Sequence, residues 1–225
     1  MWRMVESITS QRFHEFPGVD GWRVISTGAA TYFPTGSFAK GVELVTRIGE
    51  LADAANHHPD VDLRYPGVQV RLQTHEVKEQ GWMLSERDAA LAAQITDAAH
   101  ALGIEPDPSR VQALQIAIDA LDIAKLRPFW AVVLGYELVG DEDVTDPAAF
   151  GPNVWFQQMD APRPQRNRIH VDLYVPADVA PQRVEAALAA GGSVVRDNGP
   201  NWWTLADPEG NEVDVAPWPD GFSGW

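Results

Sequence analysis

The chain has 225 residues, 45% hydrophobic and 22% charged, which suits two domains of about 100 residues each, and no apolar run approaches the roughly 18 residues of a membrane span. Its formal net charge of -15 argues against nucleic acid or an anionic membrane as the main partner, because both repel it, and leaves a small neutral or cationic ligand. Cysteine is absent, which excludes disulfides, thiolate metal sites and a cysteine nucleophile. The opening MWRMVESITSQRF lacks a continuous apolar core, so a cytoplasmic location is the default expectation.

In chain order, Pro17-Gly18, Asp20-Gly21 and Pro34-Thr35-Gly36 punctuate two short strands around Trp22 to Ile25 and Ala30 to Phe33. Leu44, Ile48, Leu51 and Ala55, with Val45 beside them, recur at helical spacing and predict an amphipathic helix over about Ser37 to Ala55. That helix delivers Asn56, His57 and His58 at its end, where Pro59 cannot continue the hydrogen bonding. Val68, Val70 and Leu72 alternate with Gln69, Arg71 and Gln73, a half-buried strand leading to Thr74-His75. A loop of Glu76 to Leu84 follows. Ser85 then opens a second helix, with Leu91, Ile95, Ala98 and Leu102 on one face and Gly103 as its stop. These elements describe an α+β domain over residues 1–103, a sheet packed on two helices. Residues 104–109, with Pro106 and Pro108, are expected to be an extended linker to a second domain over 110–225.

Beyond the linker the pattern repeats. Leu114, Ile116 and Ile118 form a strand, followed by a helix that carries Leu126, Phe129, Trp130 and Val133 and stops at Gly135. His170 to Val175 forms another strand, followed by a helix with Val184 and Leu188 that stops at Gly191-Gly192. The matching intervals predict a duplicated βαβββ module. Further strands are expected near Tyr136 to Val139 and Val154 to Gln158, with a hairpin of Trp202 to Leu205 and Val213 to Ala216 around Asp207-Pro208-Glu209-Gly210-Asn211.

The chemistry concentrates between Asp53 and Asp88, which hold three of the six histidines. Histidine gives and takes a proton near neutral pH, so the cluster points to proton transfer or a metal site. Asp53, His57-His58-Pro59, Tyr65, His75 and Asp88 resemble, in type and interval, the signature of the pterin-4a-carbinolamine dehydratases. Thr74-His75-Glu76 and Leu84-Ser85-Glu86-Arg87-Asp88 extend that resemblance over roughly residues 20–103. It implies dehydration of 4a-hydroxytetrahydrobiopterin, or a related 4a-hydroxytetrahydropterin, to the quinonoid dihydropterin and water, with no metal or organic cofactor required. Catalytic roles fall to His57, His58 and His75, and substrate contacts to Asp53, Asp88 and Tyr65, with Asp88 bonding either a histidine or the amide-like edge of the pterin. Asp53 stands where the family more often has glutamate. Asp88 also reads as a capping-box acid behind Ser85, and Tyr65 as a packing residue.

The repeat, the helix text Arg127-Pro128-Phe129-Trp130 with Leu134-Gly135, and Asp207 to Asn211 resemble the glyoxalase-like branch of the vicinal oxygen chelate superfamily over about residues 110–217. By position, metal-using members would draw ligands from Gln115, Gln157 or Gln158, His170 and Asp214. Two amides make a poor divalent site, so a divalent metal in this domain is the less favoured reading, and a small organic ligand bound without metal the preferred one. Trp155, Trp202 and Trp203 are candidates to line its cavity or fill its core. The alternatives are a metal-dependent glyoxalase or dioxygenase acting through the second domain, and a non-catalytic dimerisation or binding module. Both families commonly associate, which implies a homo-oligomer.

Overall fold

The structure is a computed structural model that describes residues 6–26, 28–74, 83–162, 165 and 169–217. It divides into two compact units, residues 1–113 and 114–225.

The first unit opens with a short helix α1 (Ser10–His14), capped by the Thr9 side chain, which fixes the buried Phe13 in the core. Strands β1 (Arg23–Ile25) and β2 (Gly28–Phe33) follow, then helix α2 (Phe38–Ala55), strands β3 (Asp60–Arg64) and β4 (Gly67–Leu72), and helix α3 (Glu86–Ala101). The sheet order is β1-β2-β4-β3, with every pair antiparallel. Val68, Val70 and Leu72 of β4 are buried in one cluster with Leu44 and Ile48 of α2 and Leu91 and Ile95 of α3, as their periodicities require. Ala99, rather than Ala98, completes the buried face of α3. Trp22 is fully buried and donates from Nε1 to Thr96 Oγ1 at 3.0 Å, so its polar atom is satisfied inside the core.

Strand β3 is an addition to the sequence expectation. Val61 and Leu63 are half-buried, while Asp60, Asp62 and Arg64 face outward and keep this sheet edge charged.

The expected linker is corrected in part. Helix α3 ends at Gly103 in the left-handed region (φ 65°), and Ile104 N donates to Ala99 O at 3.0 Å. This closing turn places Ile104, 2% exposed, among the core residues of the first unit. The chain then stays on that unit: Asp107 N donates to Tyr32 O at 2.7 Å, and the Arg110 guanidinium lies 4.7 Å above the Tyr32 ring. Pro108 opens a single 3-10 turn, Pro108–Arg110, capped by the Asp107 side chain, so the prolines do not prevent packing.

The second unit contains β5 (Gln115–Ala120), α4 (Ile123–Leu134), β6 (Glu137–Val139), β7 (Asp143–Thr145) and β8 (Asn153–Gln158), then β9 (Val171–Tyr174), α5 (Ala180–Ala189), β10 (Ser193–Asn198), β11 (Trp202–Ala206) and β12 (Glu212–Ala216). The two sheets have orders β5-β8-β7-β6 and β9-β12-β11-β10, and in both the first and last strands run parallel. The same topology twice is the duplicated βαβββ module. Ile118, Val154 and Phe156 share a core with Val213 and Val215 and with Phe129, Val133 and Val184 of the helices. Gln115, Asp119 and Gln157 therefore lie on the opposite, helix-free face of the first sheet, and Asp172 and Asp214 on that of the second.

Asp207 explains the DPEGN turn. It is 3% exposed; Oδ1 accepts from the backbone of Glu209 and Asn211, and Oδ2 from Trp130 Nε1 at 2.9 Å. Glu209 then accepts from the backbone of Leu121 and Asp122 at 2.8 and 2.7 Å, just before α4. One acidic turn of the second module thereby holds the helix of the first at its start and middle.

Candidate active site

Helix α2 begins with Ser37 accepting from Lys40 N and ends with Asn56 in the left-handed region (φ 47°), a conformation asparagine tolerates better than most side chains. His57 N donates to Ala52 O at 3.1 Å, and this Schellman turn pins the histidine backbone before its side chain makes any contact. The turn sends the two histidines to different carboxylates. His57 is 7% exposed with Nε2 2.7 Å from Asp88 Oδ1, whereas the exposed His58 has Nε2 3.0 Å from Asp53 Oδ1.

Asp88 is fully buried at the start of α3. Its Oδ2 accepts from Thr74 Oγ1 at 2.6 Å and from Ser85 N at 2.7 Å, and the Ser85 hydroxyl lies 3.1 Å away. Burial pushes the Asp88 carboxyl up, but the hydrogen bonds from His57, Thr74 and Ser85 outweigh it and hold the group below its ordinary value. An ionised carboxylate only accepts, so His57 Nε2 carries the proton in this pair. Thr74 is fixed in turn by its antiparallel bridge to Met83, whose N–H and C=O both pair with the Thr74 backbone. Helix α2, strand β4 and helix α3 thus converge on one carboxylate. Arg87 donates to Asn56 O and ties the start of α3 to the end of α2.

The second unit has a separate polar group. His170 Nε2 lies 3.2 Å from Asp172 Oδ1 and 3.8 Å from Asp214 Oδ2. Asp172 and Asp214 face each other across the parallel pair of β9 and β12. A cavity of about 720 Å³ includes His170, Ile116, Ile118, Trp130, Met159 and Glu209 in its wall.

Residues 6–98 match the family described as Pterin 4 alpha carbinolamine dehydratase, and residues 115–216 match the Glyoxalase-like domain. A protein of Herpetosiphon aurantiacus, named as a candidate pterin-4-alpha-carbinolamine dehydratase, is 37% identical over 75 residues, covering 33% of this chain and 74% of its own. A protein of Thermomicrobium roseum with the same name is 31% identical over 99 residues, covering 44% of this chain and 99% of its own. The chain belongs to the pterin-4a-carbinolamine dehydratase family. Among solved structures, a transcriptional coactivator/pterin dehydratase from Brucella melitensis is similar over 42% of this chain and 99% of its own, at 24% identity and TM-score 0.37. A glyoxalase/bleomycin resistance protein/dioxygenase family enzyme from Burkholderia phytofirmans is similar over 46% and 95%, at 17% identity and TM-score 0.37.

In the dehydratase unit the expected site residues separate into distinct environments. His57 and Asp88 are joined and buried; His58 and Asp53 are joined and exposed. Of the two partners expected for Asp88, a histidine or the pterin, the structure shows the histidine; the carboxylate has no exposed surface and protein donors reach both oxygens. Tyr65 is 73% exposed in the turn between β3 and β4, which removes its reading as a packing residue. His75 lies outside the described residues, as does most of the loop after it. Thr74 and Ser85 are additional members of the network. Their polar side chains beside His75 and at the opening of a helix were the available signal.

In the glyoxalase-like unit, Gln115 and Gln157 are exposed, and Gln158 donates to Leu121 O and Met159 O. Trp130 lines the cavity rather than Trp155, Trp202 or Trp203. Imidazole nitrogen and carboxylate oxygen suit a divalent first-row cation. Among the described residues Asp214 Oδ1 is buried without a hydrogen-bond partner, and the ligand atoms of His170, Asp172 and Asp214 lie within 4.8 Å of one another.

Proposed function

We propose that the first unit dehydrates a 4a-hydroxytetrahydropterin, of which 4a-hydroxytetrahydrobiopterin is the type substrate, to the quinonoid dihydropterin and water. Losing the 4a-hydroxyl requires a proton on the departing oxygen and a base for a ring N–H proton, and paired imidazoles supply both near neutral pH. The observation that carries this reading is the buried His57–Asp88 pair. The carboxylate fixes the tautomer and orientation of the ring, so that Nδ1 can exchange a proton with substrate while Asp88 stabilises any positive charge on the imidazole. His75 is assigned as the second acid/base group, and His58, exposed beside Asp53, as the residue that orients the pterin or shares protons. No step requires a cofactor.

The glyoxalase-like unit is assigned the binding of a small organic ligand. Its cavity supports this, being walled by Ile116, Ile118, Trp130 and Met159 with His170 and Glu209 as polar groups.

The test is to generate 4a-hydroxytetrahydropterin enzymatically and follow its disappearance with and without the full chain. Acceleration that His57→Ala and His75→Ala abolish is the expected result. No acceleration by the wild-type chain overturns the dehydratase reading.

A further inference from the structure

We infer that Thr74 is a positioning residue of the dehydratase site, its hydroxyl aimed at Asp88 so that the carboxylate is fixed as the acceptor for His57. The inference rests on the dehydratase reading for its catalytic consequence and extends it to a residue outside the acid/base set. Three observations lead there.

The first is a short contact inside the protein. Thr74 is 1% exposed, Ser85 and Asp88 are fully buried, and the Thr74 hydroxyl donates to Asp88 Oδ2 at 2.6 Å, the range of a hydroxyl on an ionised carboxylate. A threonine hydroxyl has one proton to give. With that proton on Asp88, Thr74 Oγ1 is the acceptor toward Ser85 Oγ, 2.7 Å away. The chain from Ser85 through Thr74 to Asp88 therefore donates in one direction, toward the carboxylate.

The second observation is that the helix start does not need Thr74. The capping box of α3 is complete with Ser85 and Asp88, since Ser85 N donates to Asp88 Oδ2 at 2.7 Å while the Ser85 side chain accepts from the first turn. Thr74 adds a donor from outside the helix to the same oxygen, which a cap alone does not require. Oδ1 is left to His57 Nε2 at 2.7 Å.

The third is anchoring. The Thr74 backbone N–H and C=O both pair with Met83, at 2.8 and 3.1 Å, and a β-branched side chain has few rotamers, so the hydroxyl direction is set by the end of the strand. Among the described residues, the titratable group in contact with Asp88 is His57 from the end of α2; the other contacts, Thr74 and Ser85, are uncharged. Every donor on Asp88 favours the anion, so the carboxylate supports a proton on the imidazole without taking it.

The experiment compares the full wild-type chain with Thr74→Val, which keeps the branched shape and removes the hydroxyl, and with Thr74→Ser, which keeps the hydroxyl. Thr74→Ala replaces Thr74→Val if circular dichroism shows the latter unfolded. Carboxyl-carbon NMR, with Asp88 assigned by its absence in Asp88→Asn, follows ionisation against pH. The Asp88 midpoint is expected to rise by about one pH unit in Thr74→Val and by less than about half a unit in Thr74→Ser. In the pterin assay kcat is expected to fall about tenfold in Thr74→Val, with KM changed less than about threefold, and to be largely retained in Thr74→Ser. An unmoved Asp88 midpoint in Thr74→Val overturns the inference whatever the pterin assay shows. So does an equal loss of kcat in Thr74→Ser and Thr74→Val, or a loss confined to KM. A wild-type chain that does not dehydrate the pterin overturns the dehydratase reading, and the carboxyl titration then decides the arrangement at Asp88 by itself.

Discussion

His57 Nε2 stands 2.7 Å from Asp88 Oδ1, with the histidine 7% exposed and the aspartate fully buried. One residue ends α2 and the other begins α3, so the pair is a reactive group and a helix-to-helix fastening together. Removing the carboxylate charge should therefore damage more than catalysis. Asp88→Asn exchanges an acceptor oxygen for an N–H₂ group that faces donors, and should cost about 3 kcal/mol of stability. Urea unfolding read from the first unit measures it.

The same carboxylate sets an acid dependence. Its value in the folded chain lies below the ordinary 3.8, so its stabilising contribution is full well above pH 3.8 and is lost as pH falls through the folded value. The stability gap between wild type and Asp88→Asn should accordingly be flat from pH 7 to about pH 5 and narrow below about pH 4. Unfolding curves at each pH check this, and a gap that widens on acidification would contradict the sign.

Catalysis should separate the adjacent histidines. His57→Gln should lower dehydration by about 100- to 10,000-fold, the range of a general acid or base, and His58→Gln by less. Asp53→Asn alters an exposed side-chain contact with His58 and should change stability by under about 1 kcal/mol. Initial rates at saturating pterin, together with thermal melts, distinguish the two positions.

Ile104→Ala tests where the first unit ends. A true linker side chain would be indifferent to truncation; a residue 2% exposed in the core should cost about 2–5 kcal/mol. Denaturant midpoints decide between these outcomes.

Asp207→Ala should destabilise the second unit by about 3 kcal/mol, since it strands Trp130 Nε1 and the backbone donors of Glu209 and Asn211. Tryptophan fluorescence during urea unfolding reports it directly, and Glu209→Gln, at an exposed cap, should cost less.

The long helices were legible because their apolar periods and stop residues agree: Pro59 follows the end of α2, and Gly103, Gly135 and Gly191 adopt positive φ where the other helices end. Strands β3 and β10 were not. Strand β3 has only Val61 and Leu63 between charged neighbours, and β10 is exposed along its whole length, so neither offers a buried face to detect. The residue types of the dehydratase cluster were legible, but not their partnership. Whether Asp88 reaches His57 or only caps its helix depends on the Schellman turn at Asn56 and the bridge between Thr74 and Met83, neither of which is a property of spacing. The neighbourhood of Asp172 was hidden for a related reason. Alone, Asp172 is an outward polar residue of an alternating strand, and only the pairing of β9 with β12 brings it beside Asp214.

That parallel pairing also governs when each module can assemble. Gln115 pairs with Asn153, and Val171 with Val213, so the opening strand of either module waits for its neighbour until the closing strand has left the ribosome. Until then β5 and β9 each present an unpaired edge, and the module that folds first does so with a long loop still to close. Strand β12, which brings Asp214 to Asp172, therefore completes both the second sheet and its acidic pair in one late event.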